Sequence, residues 1–318
     1  IKFLDLINAI ELATENKDIK GINLKSQSPK MGWSQALTIR KSLQRFKDEG
    51  KFIYTYGDFF SQKGYYLASV SDSIFLNPVG NIELRGLGAE VLYYKELQEK
   101  YGFKMEVIRH GKYKSAVEPY LDNKMSEANR SQIRSLLNSI WGGIANQIKL
   151  SRKVSTEKFN KVVDNLDATL PVNALRNNIV DGIISKTQYK QKVKRKLGIK
   201  SDEELNNVSY LQMKNSFKYK NGTRNQIAVI YAQGPIIYGE GNESNIGQEL
   251  FSKTLRKIKN SKRIKAVVLR IDSPGGVALT SEIIWDELIE LKKEKPIVVS
   301  MGTVSYTHLR AHETGRNL

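Results

Sequence analysis

Apolar residues follow the same order in two stretches of the chain, one near each end. Each stretch begins with a short continuous apolar run, passes through a Ser-Pro dipeptide and continues with apolar residues three or four positions apart. A second apolar run closes each stretch, at residues 52–56 and 297–301. Continuous apolar runs are typical of buried strands, whereas the longer spacing predicts an amphipathic helix. Each stretch is therefore predicted to form a strand–helix–strand unit with parallel pairing and a right-handed crossover.

The two stretches are copies of one another. When residues 19–57 are set against residues 264–302 without a gap, 10 of the 39 positions are identical. The duplication predicts an α/β protein of two domains, each with a parallel sheet and flanking helices. We predict the first repeat at residues 1–185, a basic helical junction at 186–225 and the second repeat at 226–302.

The composition is that of a globular protein with an excess of positive charge. Of the 318 residues, 40% are hydrophobic and 26% are charged, and the formal net charge is +18 at pH 7. The basic residues are spread along the chain, with seven of them at residues 186–200. We interpret them as solvated helix faces, with attraction to an anionic membrane as the second interpretation. No aromatic-interleaved basic motif accompanies them, so no nucleic-acid partner is expected.

Two of the side chains that commonly perform catalysis, cysteine and histidine, are absent or rare. The chain has no cysteine and only three histidines, His110, His308 and His312. Thiol catalysis is therefore excluded, and a metal site built from several histidines is not expected. A lysine can replace histidine as a general base where apolar surroundings lower its pKa.

Lys114 is the candidate for such a base. It lies in HGKYKSAVEPY, residues 110–120, beside Tyr113 and just before Ala116 and Val117. Neighbours of this kind penalise the charged form of an ammonium group. These residues alone leave open the alternative of an exposed surface lysine.

The glycine pair Gly275–Gly276, in IDSPGGVALTSE, is a second candidate feature. The pair follows a predicted strand and precedes a predicted helix, so its amides can point into a cleft at the positive end of that helix. Amides placed in this way can hold the oxyanion of an acyl-transfer reaction. A Pro-Gly turn without chemistry is the alternative. The first copy has Lys30 and Met31 at the matching positions and lacks these donors.

Several motifs together resemble one enzyme family. The chain resembles the long form of bacterial signal peptide peptidase A, also called protease IV, from about residue 1 to Gly302. The motifs that carry the resemblance are SQKGYYLASVSD, GKYKSAVEPY, IAVIYAQGPI, VVLRIDSPGG and PIVVSMG. The resemblance implies a Clp-protease/crotonase-like α/β spiral core, duplicated in tandem. It also implies a serine peptidase with a Ser–Lys dyad and no cofactor or metal. In that family the lysine base belongs to the first half, in the motif that matches Lys114, and the serine belongs to the second half.

The nucleophilic serine is missing from its expected place. By the spacing of the family it would fall near position 307, where Thr307 stands. Residues 303–318 contain no glycine pair after a serine and no apolar periodicity, so we interpret them as an adapter-derived tail, with a divergent genuine tail as the alternative. Ser305 lacks the neighbouring glycines. Ser61, at the corresponding place in the first repeat, is interpreted as structural.

The resemblance implies an endopeptidase that degrades cleaved signal peptides, with short unfolded peptides as further substrates. It also implies a ring-like homo-oligomer at the bacterial cytoplasmic membrane, with the catalytic domain on the extracytoplasmic side.

The membrane anchor is expected upstream, because the chain begins within an amphipathic helical pattern and has no long apolar run. The chain as written is expected to be soluble and inactive. Two alternatives stay open, namely an acyl-CoA enzyme of the crotonase type and a non-catalytic membrane-associated scaffold.

Overall fold

The computed structural model describes residues 3–106, 115, 117–216 and 225–301. These residues fall into two compact units. The first unit contains residues 3–106 and 117–216, and the second contains residue 115 and residues 225–301. Within these ranges, no helix combines the length and the apolarity needed to cross a bilayer.

The first unit has a four-stranded parallel sheet whose strands lie side by side in the order in which they occur in the sequence. A short 3₁₀-helix spans Asp167–Thr169. The elements are α1 (Phe3–Glu15), β1 (Gly21–Leu24), α2 (Trp33–Asp48), β2 (Phe52–Phe60), α3 (Gln62–Ala68), β3 (Ser73–Ile82), α4 (Lys95–Lys100), α5 (Glu118–Leu121), α6 (Glu127–Arg152), α7 (Thr156–Asp164), α8 (Pro171–Arg176), β4 (Gly182–Ile183), α9 (Lys186–Leu197) and α10 (Tyr210–Ser216).

The elements of the second unit are β5 (Gln226–Gln233), β6 (Ile236–Ile237), β7 (Gly241–Asn242), β8 (Asn245–Gly247), α11 (Gln248–Asn260), β9 (Ile264–Asp272), α12 (Ala278–Glu294) and β10 (Ile297–Met301). Its three-stranded parallel sheet has the order β10-β9-β5, and a small three-stranded sheet has the order β6-β8-β7. The predicted α/β class, with parallel sheets and flanking helices, is confirmed.

Each unit has its own hydrophobic core between helices and sheet. In the first, Phe46 of α2, Ile53 of β2 and Ile148 of α6 are fully buried in one cluster. In the second, Val267 of β9 and Leu291 of α12 are fully buried. Apolar area removed from water in this way contributes about 25 cal/mol per Å² to stability.

The structure extends the internal repeat to a helix that precedes it. Helices α1 and α11 both have 13 residues, and each residue of α11 lies 245 positions after its counterpart in α1. No aligned pair in these helices is identical. The burial pattern is nevertheless shared, because Ile10 and Ala13 are buried and so are their counterparts Leu255 and Ile258.

The ungapped alignment of the repeats is wrong by one residue after the second helix of each copy. Ile22 pairs with Ile53 in the first sheet, and Val267 pairs with Ile297 in the second. Val267 lies 245 residues after Ile22, but Ile297 lies only 244 residues after Ile53. The additional residue of the first copy belongs to the turn between α2 and β2, where Gly50 has a φ of +78°.

This one-residue correction makes Lys51 equivalent to Lys295, and both ammonium groups bind the end of a helix. Lys51 donates to three carbonyl oxygens at the end of α1, and Lys295 donates to two at the end of α11. The acceptors of Lys51 are Ala13 (2.6 Å), Thr14 (2.7 Å) and Asn16 (2.6 Å), and those of Lys295 are Ile258 (2.5 Å) and Ser261 (2.7 Å). The carbonyl groups at a helix end lack partners within the helix and carry its negative partial charge, so a cation there is stabilising.

Helix α9 covers one face of the first sheet. Tyr189 and Val193 of α9 are buried in one cluster with Tyr56 and Phe75 of the strands. The ring of Tyr189 stacks on that of Tyr56 with 5.2 Å between centroids, and its O–H donates to Asn23 Oδ1 at 2.9 Å. Residues 186–197, predicted within the junction between repeats, therefore pack on the first unit.

The corresponding face of the second sheet is exposed to solvent. Val268 is the counterpart of Asn23, and it pairs with Val229 of β5 and Val298 of β10. Val229 and Val298 are each more than half exposed, as are Ile227 and Tyr231, which alternate with Val229 on the same side of β5. We call these five side chains the bare face. No helix covers it in the part of the chain that the structure describes.

Candidate active site

The turn between β9 and α12 contains Gly275 and Gly276, and both positions require glycine. Gly275 has a φ of +98°, in a region that side chains with a Cβ disfavour. Gly276 lies against β6, where Ile236 N–H donates to Gly275 O at 3.0 Å and Val277 N–H donates to Ile236 O at 3.0 Å. A Cβ on Gly276 would stand 2.0 Å from Ile236 O. Glycine thus allows the turn to approach β6 closely.

The two glycine amides have different surroundings. Gly275 N–H donates to Ser273 Oγ at 3.1 Å. Gly276 forms a parallel β-bridge with Ile236, and the two hydrogen bonds of this bridge are made by its neighbours Gly275 and Val277. The N–H of Gly276 itself therefore points away from Ile236. Among the described residues, Gly276 N–H has no hydrogen-bond acceptor. It is therefore the amide of the pair that is ready to bind an added oxygen atom.

The helix that follows this turn begins without a side-chain cap. Val277 occupies the N-cap position of α12 and accepts no bond through its side chain. Among the described residues, five helices of the first unit are capped by serine hydroxyl groups, at Ser61, Ser126, Ser155, Ser185 and Ser209. The N-terminal amides of α12 carry a positive partial charge, and in the described part of the chain no side chain caps them and no acidic residue lies in the first turn. This environment favours an anionic oxygen beside Gly276.

The matching turn of the first unit is occupied by the protein's own side chains. Lys30 and Met31 replace the glycine pair, and Met31 O accepts a hydrogen bond from Lys63 Nζ. The same ammonium group lies 5.3 Å from the ring centroid of Trp33. The N–H of Met31 donates to Pro29 O at 3.2 Å, so this turn offers neither a glycine pair nor a free amide at the position of Gly276.

Ser61 lies at the end of β2 and caps helix α3. Its Oγ accepts a hydrogen bond from Gly64 N–H at 3.2 Å, and its own N–H donates to Gln27 O at 2.8 Å. Such a cap contributes about 1 kcal/mol to helix stability. These contacts agree with the structural role inferred from the sequence.

The other predicted site residues lie outside the described residues. These are the base Lys114 and, at the expected position of the nucleophile, Thr307, together with Ser305. The structure therefore brings together only Gly275 and Gly276 from the predicted set. Among the described residues, no cluster of histidine, aspartate or glutamate side chains is arranged to hold a metal ion.

Glu118, four residues after Lys114, was missed by the sequence reasoning. Its side chain is buried and accepts hydrogen bonds from Asn129 Nδ2 at 2.6 Å and from the O–H of Tyr93 at 3.4 Å. Burial alone would raise the pKa of the Glu118 carboxyl, but the hydrogen bonds that it accepts, including those from Ser126, hold that pKa below its ordinary value. An acidic residue inside an otherwise apolar AVEPY segment was the available signal.

Comparison with known proteins matches residues 45–200 to the model of peptidase family S49. The chain is 33% identical over 321 aligned residues to Protease 4 of Haemophilus influenzae, covering 96% of this chain and 52% of the relative. It is 33% identical to Protease 4 of Salmonella typhi, covering 94% of this chain and 50% of the relative. It is 31% identical to the chloroplastic serine protease SPPA of Arabidopsis thaliana, covering 90% and 43%. The chain spans about half the length of these relatives.

Proposed function

The chain belongs to peptidase family S49, and from this premise we propose that the complete protein is a serine peptidase with a Ser–Lys dyad. The parallel sheets with flanking helices fit the Clp-protease/crotonase-like core of this family. The observation that carries the proposal is the glycine turn of the second unit, where Gly276 N–H has no acceptor within the described ranges and α12 begins without a side-chain cap.

In the proposed reaction, a serine hydroxyl attacks the carbonyl carbon of a peptide bond and its proton passes to the uncharged amine of Lys114. The amides of Gly275 and Gly276 hold the oxyanion of the tetrahedral intermediate, with Gly275 N–H leaving Ser273 Oγ to do so. The protonated lysine then returns its proton to the leaving amine. The lysine must be uncharged to act as a base, which requires surroundings that lower its pKa.

We propose cleaved signal peptides and short unfolded peptides as the substrates. The name signal peptide peptidase, which a relative from Enterococcus faecium carries at 25% identity, supports this choice. The complete protein would act at the bacterial cytoplasmic membrane, on the extracytoplasmic side, as a ring-like homo-oligomer.

Comparison of two lysines in the complete protein tests the proposal. Lys114→Ala should abolish hydrolysis of a fluorogenic peptide, whereas Lys112→Ala, two residues away in the same motif, should retain it. Undiminished hydrolysis by the Lys114→Ala protein would overturn the dyad.

The 318-residue chain is proposed to be inactive, because Thr307 stands where the serine is expected. It should not react with a fluorophosphonate probe under conditions that label a known serine hydrolase in the same tube. Labelling would show that Ser61, Ser305 or another serine of this chain is a competent nucleophile.

A further inference from the structure

Two polar side chains, Gln248 and Thr280, are buried together behind the glycine turn. Gln248 is the first residue of α11 and is 7% exposed, and Thr280 lies in the first turn of α12 and is fully buried. The distance from Thr280 Oγ1 to Gln248 Oε1 is 3.1 Å, within hydrogen-bond range. A buried polar pair is costly to desolvate unless its hydrogen bonds are satisfied, so its partners indicate what it holds in place.

Both side chains bind the backbone of the loop that contains β6. Thr280 Oγ1 donates to Ile237 O at 3.0 Å, and Gln248 Oε1 accepts from Gly239 N–H at 2.9 Å. Ile236, which precedes Ile237 in β6, makes one backbone hydrogen bond to Gly275 and one to Val277, the residues on either side of Gly276. The pair is thus connected to the turn through β6, by its hydrogen bonds to Ile237 and Gly239 and by those between Ile236 and the turn.

The first unit lacks this arrangement. Phe3 and Gln35 stand at the positions equivalent to Gln248 and Thr280, 245 residues earlier in the chain. Gln35 has a local role instead, since its Oε1 accepts from Gly32 N–H at 3.0 Å in a capping box. The repeat with Lys30 and Met31 in place of the glycines thus also lacks the buried polar pair.

We propose that Gln248 and Thr280 are positioning residues that fix the direction of the Gly276 N–H. Without the Thr280 hydroxyl group, β6 is free to shift against α12, and the amide of Gly276 moves with Ile236. The consequence for catalysis rests on the proposed function, whereas the structural effect on Gly276 does not.

Nuclear magnetic resonance tests the structural effect in the 318-residue chain. Only two glycines follow another glycine in this sequence, Gly143 and Gly276. We label the glycines of the protein with 13C at the carbonyl carbon and with 15N. A spectrum that selects 15N amides bonded to a 13C carbonyl group then shows two signals, one from Gly143 and one from Gly276. Gly143 lies in α6 of the first unit, so its signal is an internal control.

Thr280→Val should move the Gly276 signal and leave the Gly143 signal in place, whereas Thr280→Ser should restore the wild-type position. Gln248→Met should also move the Gly276 signal, and it decides the question if the Thr280→Val chain does not fold. An unchanged Gly276 signal in these variants would overturn the proposal. Displacement of both signals would also count against it, because that result reports a general disturbance.

Kinetics of the complete protein test the catalytic consequence. Thr280→Val should lower kcat about 10- to 100-fold with little change in KM, because displacement of an oxyanion donor by about 1 Å can cost as much as 10²-fold. Thr280→Ser should restore kcat. Thr55→Val, which removes a hydroxyl group from an equally buried threonine of the first unit, is the matched control and should leave kcat unchanged.

The two experiments separate failure of this inference from failure of the proposed function. If the wild-type complete protein does not hydrolyse peptides, the proposed function fails and the resonance result still decides the positioning role. If the wild-type protein is active and Thr280→Val moves the Gly276 signal without lowering kcat, the catalytic consequence is refuted.

Discussion

Removal of the lysine that binds the end of α11 should destabilise the second unit by more than the equivalent change destabilises the first. The substitutions are Lys295→Met and Lys51→Met, which keep most of the apolar stem and remove the ammonium group. Lys295 is 8% exposed, and one of its acceptors, the carbonyl of Ile258, belongs to a buried residue. Lys51 is only partly buried.

The expected magnitudes follow from this difference in burial. A cation at a partly buried helix end contributes up to about 2 kcal/mol. The Ile258 carbonyl still accepts a hydrogen bond from Ser261 N–H at 3.2 Å after the change, so no unpaired buried acceptor is added. We therefore expect a loss of about 2 kcal/mol for Lys295→Met. Water can reach the carbonyl groups that Lys51→Met releases, which leaves a loss of about 1 kcal/mol, mainly from the interaction with the helix dipole.

Hydrogen–deuterium exchange read by mass spectrometry measures the two units separately, through the opening free energies of peptides from α1 and α11. Lys253→Met, at an exposed position of α11, is the matched control and should change the opening free energy by less than about 0.5 kcal/mol. The reasoning is refuted if Lys295→Met is no more disruptive than Lys253→Met, or if Lys51→Met is the more damaging of the two variants.

Two further substitutions probe the glycine turn and the buried carboxylate. Gly276→Ala should destabilise the second unit by about 2 kcal/mol or more in urea unfolding, because the new Cβ would overlap Ile236 O. Gly143→Ala, in the helix α6 where a Cβ would meet nothing within 4 Å, should instead stabilise the protein by up to about 1 kcal/mol; equal effects would contradict the steric argument. Glu118→Gln should lower the melting temperature at pH 7. The difference in melting temperature between variant and wild type should shrink as the pH falls from about 4.5 through the lower pKa of Glu118 in the folded protein. The reason is that a carboxyl group with a depressed pKa stabilises the fold only while it is ionised. A difference that stays constant down to pH 3 would argue against the hydrogen-bonded carboxylate.

The sequence pattern predicted the strand–helix–strand units because their apolar spacing reflects burial directly. Ile39, Leu43 and Phe46, chosen for their helical spacing, are buried on one side of α2. The first helix of each repeat was not recognised as part of the duplication, since α1 and α11 share burial but no identical residue. Burial constrains where apolar residues occur, and it leaves their identity free.

The strand register and the polar contacts could not be predicted in the same way. The additional residue at Gly50 leaves the identities before the turn intact, and the ungapped alignment still matches Gly57 to Gly302, so only the pairing of the strands shows the shift. Gln248 and Thr280 are isolated polar residues whose partners are backbone groups of a loop distant in sequence. No periodicity marks such a residue, because its burial depends on tertiary packing. The role of Lys114 stays a prediction.

The bare face of the second sheet has a consequence for how the chain behaves in solution. At low ionic strength the net charge of +18 keeps the molecules apart by mutual repulsion. Added salt shortens the range of that repulsion from about 30 Å at 0.01 M to about 8 Å at 0.15 M. The valines and the tyrosine of the bare face can then meet those of a neighbouring molecule, so dilute buffer should keep the protein dispersed and moderate salt should make it cluster.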